Sequence, residues 1–137
     1  MTYYLDTNIC IYALKGVFPE IKNVMMRIGA FDIKIPSIVN AELKLGAKKS
    51  NNPEKAKIVL AQFLSPYEII PFDEPASLVY AEIRGDLEKA GKVIGPNDLI
   101  IAATVLSRGG TLITHNTKEF KRIKNLKIED WTLRQPA

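Results

Sequence analysis

The sequence predicts an α/β fold, a parallel β-sheet of about five strands with helices on both faces. Three observations carry this. Short apolar runs recur at residues 2–5, 32–37, 67–72, 111–114 and 126–131. Helical patterns lie between most of them, long enough to act as crossovers between parallel strands. Glycine and proline punctuate the boundaries where helices should start and stop.

Taken in order, "TYYL" is an aromatic-rich strand that ends at Asp6, and "NICIYALKG" (8–16) is a short helix closed by Gly16. "PEIKNVMMRIG" (19–29) opens on proline, aligns Ile21, Val24, Met25 and Ile28, and stops at Gly29. "DIKIPS" (32–37) is a brief strand, with Ser37 placed to cap the next helix. That helix, 38–49, carries Ile38, Ala41 and Leu45 on one face. Residues 51–64 start with Asn52 as a cap and Pro53 in the first turn, and Ala56, Val59, Leu60 and Phe63 form the apolar stripe. "YEIIPF" (67–72) is a strand, and 74–91 is a helix with a terminal glycine. After the loop "KVIGPN" comes an apolar helix, 98–108, then the strand "TLIT", a helical turn in "NTKEFKRI" and a last strand in "LKIEDW".

Composition bounds the function. A chain of 137 residues suits one domain, 1–137, with a real core. Net charge is +4, from 19 basic and 15 acidic residues, which fits an acidic partner such as nucleic acid and equally fits ordinary solvation. The single cysteine, Cys10, excludes an intrachain disulfide and a four-thiolate zinc site, and it reads as a packing residue within "ICIYAL". No apolar run approaches the roughly 18 residues of a membrane span, and "MTYYLDTN" lacks the basic-then-hydrophobic order of a secretory leader, so a cytoplasmic protein is expected.

The carboxylates are the informative part. In parallel sheets the ligand site lies beyond the carboxyl ends of the strands. Asp6 follows the first strand, Glu42 lies early in the helix after the second, and Asn116 follows the fourth, with Glu119 one turn on. Asp98 begins the helix before the fourth strand, and the loop 92–97 must climb back across the sheet to bring it to the same edge. Carboxylates gathered without lysine or arginine between them repel, and burial makes this worse unless a cation is present. Hard divalent cations take oxygen ligands of this kind. Each residue also has a plain structural alternative. Asp6 is a good helix cap, Asp98 a favourable first-turn aspartate, Glu42 a surface glutamate and Asn116 a turn residue. A phosphate-binding "GxxxxGK[ST]" loop is missing, and Gly109-Gly110 precedes a strand, which argues against a nucleotide switch.

"YYLDTNICIYALKG" resembles the amino-terminal signature of PIN domains, closely that of the VapC-type ribonuclease toxins of bacterial toxin–antitoxin pairs. "IPSIVNAELKLGAKKS" resembles the second motif of that family, with Glu42 in the acidic position, and residues 70–131 resemble the remainder. The resemblance covers about residues 3 to 131, and the ordered set "LDTN", "AEL..G", "GPNDLIIAA" and "T.N..EF.RI..L.IEDW" is specific. It implies a Rossmann-like PIN fold and an endoribonuclease that depends on Mg2+ or Mn2+ and leaves 5′-phosphate and 3′-hydroxyl ends. Asp6, Glu42 and Asp98 match the three main metal-binding acids of the family. Asn116 matches a fourth position, aspartate in many PIN domains, and Glu119 stands near enough to contribute. Thr7 and Asn8 would support Asp6, and Thr114 would orient Asn116 or a phosphate. Arg84, Lys118, Lys121 and Arg122 are candidates for contact with RNA or a partner. Arg84 has Glu82, Asp86 and Glu88 as alternative ion-pair partners. The resemblance further implies a cognate antitoxin and a homodimer, or a heterotetramer or larger assembly with the antitoxin. Met25, Met26, Ile58, Leu60 and Leu64 are candidates for such surfaces or for the core. Two other activities remain compatible with the same residues: a catalytically weak RNA-binding PIN-like protein, and a metal-dependent DNase.

Overall fold

The computed structural model describes residues 1–133. Its strands are β1 (Tyr3–Leu5), β2 (Ile33–Pro36), β3 (Glu68–Ile70), β4 (Thr111–Ile113) and β5 (Lys127–Glu129). All pair in parallel, in the order β3-β2-β1-β4-β5. The five strands expected from the sequence are therefore present, each trimmed by one or more residues at its ends. Every residue of β4 is buried, so both faces of the sheet are covered there.

The helices are α1 (Thr7–Lys15), α2 (Pro19–Ile28), α3 (Ser37–Lys48), α4 (Pro53–Leu64), α5 (Glu74–Ala90), α6 (Pro96–Arg108) and α7 (Thr117–Phe120). Their punctuation follows the sequence closely. Pro19, Pro53 and Pro96 stand in first turns, where a missing N–H costs nothing. Asn52 caps α4 by accepting from the Lys55 amide at 3.3 Å. Gly16, Gly91 and Gly109 close α1, α5 and α6 in the left-handed region, which a Cβ disfavours. Helix α6 buries Leu99, Ile101, Ala102, Ala103, Thr104 and Val105, nearly its whole circumference. It is an internal helix, with α5 packed against it.

Four expectations need correction. Helix α3 turns Val39, Leu43 and Ala47 to the core, whereas Ala41 and Leu45 are exposed. Two apolar stripes compete on this helix, and the one spaced by four residues throughout faces inward. Ser37 is the first residue of α3 and not its cap; Pro36 precedes it and no side chain caps the end. A 3-10 turn, Ala30–Asp32, leads into β2. Finally, the loop before α6 does not climb across the sheet. Asp73, which caps α5, pairs with Arg108 at the end of α6 at 2.8 Å, so the two helices run antiparallel. Helix α5 itself supplies the return, and the loop only reverses direction.

The proposed surface residues divide. Met25 and Leu60 belong to the core, Leu64 packs against it, and Met26 and Ile58 are exposed. Cys10 is fully buried, and burial drives its thiol far above the usual range. Among the described residues no helix is long and apolar enough to cross a membrane.

Candidate active site

The chain leaves β1 and β4 toward opposite sides of the sheet. Strands β2 and β3 lie on one side of this pair and β5 on the other. Such a switch point opens a crevice at the carboxyl edge. Asp6 and Thr114 are the residues immediately after these two strands, and they meet across it: Thr114 Oγ1 donates to Asp6 Oδ2 at 2.7 Å. Asp6 Oδ1 accepts from the Thr7 amide at 2.8 Å, so this aspartate is also the cap of α1. Of the two roles the sequence left open for Asp6, the cap is present, and the same carboxylate is also tied to Thr114.

From Asp6 a hydrogen-bonded chain runs both ways. Thr7 Oγ1 donates to Glu42 Oε1 at 2.9 Å, which ties α3 to the start of α1. The Asn116 amide donates to Thr114 Oγ1 at 2.9 Å, and Asn116 Nδ2 donates to Glu119 Oε2 at 3.2 Å. Five of the expected residues, Thr7, Glu42, Thr114, Asn116 and Glu119, are thus linked to Asp6. The link from Thr7 to Glu42 was not foreseen. Asn8 is exposed and takes no part in these bonds.

Asp98 reaches the group through space. It is the third residue of α6, it is partly buried, and it accepts no side-chain hydrogen bond among the described residues. A first-turn aspartate should be favoured by the helix dipole, which lowers its pKa. Here burial, followed by the negative fields of Asp6, Glu119 and Glu42, pushes Asp98 up to about 6. Burial also raises Asp6; the bonds from Thr114 and Thr7 offset this only in part, and Glu42 adds to the rise. Among the described residues, none of the ion pairs involves Asp6, Glu42, Asp98 or Glu119.

This donor set fits a hard divalent cation. It offers carboxylate oxygens, little competing positive charge and an unrelieved repulsion. As the side chains stand, no three Asp, Glu, His or Cys residues among those described enclose a single point closely. Glu42 and Glu119 are engaged with Thr7 and Asn116.

The rim is basic. Lys118, Lys121, Arg122, Lys124 and Lys127 are exposed after β4, and Arg122 donates to the Val93 carbonyl at 3.4 Å. Arg84 is on α5, paired with Glu88 at 3.5 Å and stacked over Tyr80, so of its three candidate partners Glu88 is the one used. A groove of about 500 Å³ between α1, α3 and α4 is lined by Ile11, Leu14, Leu43, Ala47 and Leu60, with Glu42 contributing to its wall. His115 is the single histidine of the chain. It is half-exposed, beside Asn116, and bonded to Asp130 and Thr132.

A five-stranded parallel sheet with acids gathered at its switch point is the architecture on the page, and known proteins share it. The sequence profile of the PIN domain matches residues 3–126. Ribonuclease VapC2 of Rickettsia felis is 45% identical over 132 residues, covering 96% of this chain and 98% of that one. The tRNA(fMet)-specific endonuclease VapC of Shigella flexneri is 34% identical over 132 residues, 96% of this chain and 99% of its own. The crystal structure of VapBC2 from Rickettsia felis, bound to a DNA fragment from the promoter, superposes with a TM-score of 0.89 at 44% identity, covering 96% of this chain and 99% of that one. The chain belongs to the PIN-domain family, in its VapC ribonuclease branch.

Proposed function

We propose that this protein is a VapC-type toxin, a divalent-metal-dependent endoribonuclease that a cognate antitoxin neutralises. The observation that carries the reading is the unneutralised carboxylate group of Asp6, Glu42 and Asp98 at the β1/β4 switch point, with Asp98 raised to about 6. The names of the relatives agree, since the Rickettsia felis and Shigella flexneri proteins are called a ribonuclease and an endonuclease.

In this reading Asp6, Glu42 and Asp98 hold Mg2+, or Mn2+ in its place. The bound cation supplies positive charge to a phosphodiester and lowers the pKa of the attacking water. Thr114 and the Thr7 amide fix the Asp6 carboxylate, and Thr7 steadies Glu42. Asn116 contributes a neutral oxygen and is oriented by Glu119. Lys118, Lys121 and Arg122 attract the RNA backbone to the rim. The apolar groove beside Glu42 suits an antitoxin segment, which would cover the acids as it docks. The free protein forms a homodimer, and with antitoxin a heterotetramer or larger assembly. The protein acts in the cytoplasm as one domain over 1–137.

The test is cleavage of total bacterial RNA by rigorously purified protein in Mg2+ and in excess EDTA. Discrete fragments in Mg2+ alone are expected. Binding of RNA without cutting would favour the non-catalytic alternative, and equal cutting of single-stranded DNA would favour a general nuclease.

A further inference from the structure

His115 lies between Thr114 and Asn116 in the chain, and the structure gives its ring a defined set of partners. Its Nδ1 is 3.0 Å from Asp130 Oδ2 and 3.1 Å from Thr132 Oγ1. The Thr132 hydroxyl already donates to Asp130 Oδ1, at 2.6 Å. Burial pushes Asp130 up, but bonds from the Thr132 hydroxyl and amide and from His115 outweigh this and hold its carboxyl below the usual range. An ionised carboxylate has no hydrogen to give, so the hydrogen between Asp130 and His115 sits on Nδ1. The other ring nitrogen, Nε2, is then an acceptor in the neutral imidazole.

The ring plane is fixed as well. Tyr12 meets it edge-on with centroids 6.2 Å apart, Phe18 lies at 6.3 Å, and these two aromatics pack on each other at 4.9 Å. Half of the His115 side chain nonetheless faces solvent, against 9% for Asp130. A purely structural role explains this poorly. The turn after β5 is closed without His115, since the Thr132 amide donates to Asp130 Oδ1 at 2.9 Å. What the carboxylate and the two aromatics achieve together is a half-exposed ring held by its Nδ1 edge, one residue from Asn116 in the chain; in its neutral form Nε2 is the free acceptor.

We propose that His115 is a substrate-contacting residue whose Nε2 accepts a hydrogen bond from the nucleotide beside the scissile phosphate. The donor is a ribose 2′-hydroxyl or an exocyclic base amine, two of the nucleotide groups that offer a hydrogen to such an edge. This inference rests on the ribonuclease reading above. Asp130 is the positioning residue behind it, and Tyr12 and Phe18 set the ring plane.

The probe is a synthetic RNA spanning the strongest cut mapped in total RNA. Single 2′-deoxy substitutions, and separately inosine for guanosine or purine for adenosine, are scanned across the cut with wild type and His115→Phe. Phenylalanine keeps an aromatic ring against Tyr12 and Phe18 and removes both nitrogens. The expected result is a KM raised about three- to tenfold in His115→Phe with kcat within about twofold, the worth of one neutral hydrogen bond. One nucleotide change should raise the wild-type KM by the same factor and have no effect in the variant. A 2′-deoxy position showing this identifies the ribose hydroxyl, and an amine deletion identifies the base. A purely structural histidine would alter kcat and KM for every probe alike, with no coupling to any one position, and that outcome overturns the proposal. Should His115→Phe fail to fold, His115→Asn, too short to reach the same point, carries the identical scan. If the wild type cuts no RNA at all, the ribonuclease reading fails and takes this inference with it; if it cuts and no position couples, only the inference falls.

Discussion

Asp98→Asn separates the two explanations of this residue. Asparagine keeps the size of the side chain and removes the charge. In the folded protein Asp98 titrates near about 6, against an ordinary value of 3.8. A raised acid means that the folded state holds its proton more tightly than the unfolded chain, so stability present below about pH 4 is lost as pH rises to about 6. The rise from 3.8 to about 6 corresponds to about 3 kcal/mol, which falls to the order of 1 kcal/mol after allowance for solvent screening of a partly exposed group. Asp98→Asn should therefore stabilise the metal-free protein at about pH 8 by that amount, or roughly 3 °C in Tm, with no gain at about pH 4. The assay is thermal unfolding in EDTA at both pH values, alongside RNA cleavage in saturating Mg2+. Cleavage should collapse by orders of magnitude while the fold is strengthened. A dipole-serving aspartate predicts the opposite: a loss of about 0.3–1 kcal/mol with activity retained. Either a less stable variant at high pH or one that cuts at near wild-type rate would refute the reasoning.

Three further outcomes follow from the same geometry. Mg2+ affinity, measured by calorimetry, should weaken as pH falls through about 6, because ligation must displace the Asp98 proton; an affinity unchanged across that range would argue that Asp98 holds no metal. Thr114→Val removes the hydroxyl that donates to buried Asp6 and accepts from the Asn116 amide. Its expected cost is about 1–3 kcal/mol in denaturant unfolding, with slower cleavage, and unchanged stability and rate would remove Thr114 from the account. Light scattering should find the free protein a dimer, and a clean monomer across a wide concentration range would contradict that part of the proposal without touching the chemistry.

The sequence was most legible where punctuation and period agree. Prolines at 19 and 53 and glycines at 16 and 91 marked helix ends that the structure retains. Helix α3 misled because Ile38, Ala41 and Leu45 make as good a stripe as Val39, Leu43 and Ala47, and only the position of the sheet decides between them. The direction of α5 was illegible for a related reason. The antiparallel arrangement shows in contacts such as Asp73 with Arg108, which are 35 residues apart. Asp6 and Asn116 stood out as candidates because strand ends fall on one edge of a parallel sheet, with Glu42 and Asp98 near helix starts beside it. The bonds among them did not stand out, since Thr114 and Asp6 are 108 residues apart. Asn8 looked equivalent to Thr7 in "LDTN", yet Thr7 points its hydroxyl at Glu42 while Asn8 is exposed. His115 gave no sequence signal beyond being the single histidine, because its partners lie 15 and 17 residues away, beyond another strand.

The central claim is that carboxylate-held metal directs water onto an RNA phosphodiester. The most direct measurement is the chemistry of the ends left on a defined RNA by the purified protein in Mg2+, with an EDTA control. The account predicts 5′-phosphate and 3′-hydroxyl ends, and no cleavage in EDTA. Ends bearing a 2′,3′-cyclic phosphate, or cutting that persists undiminished in EDTA, would contradict it.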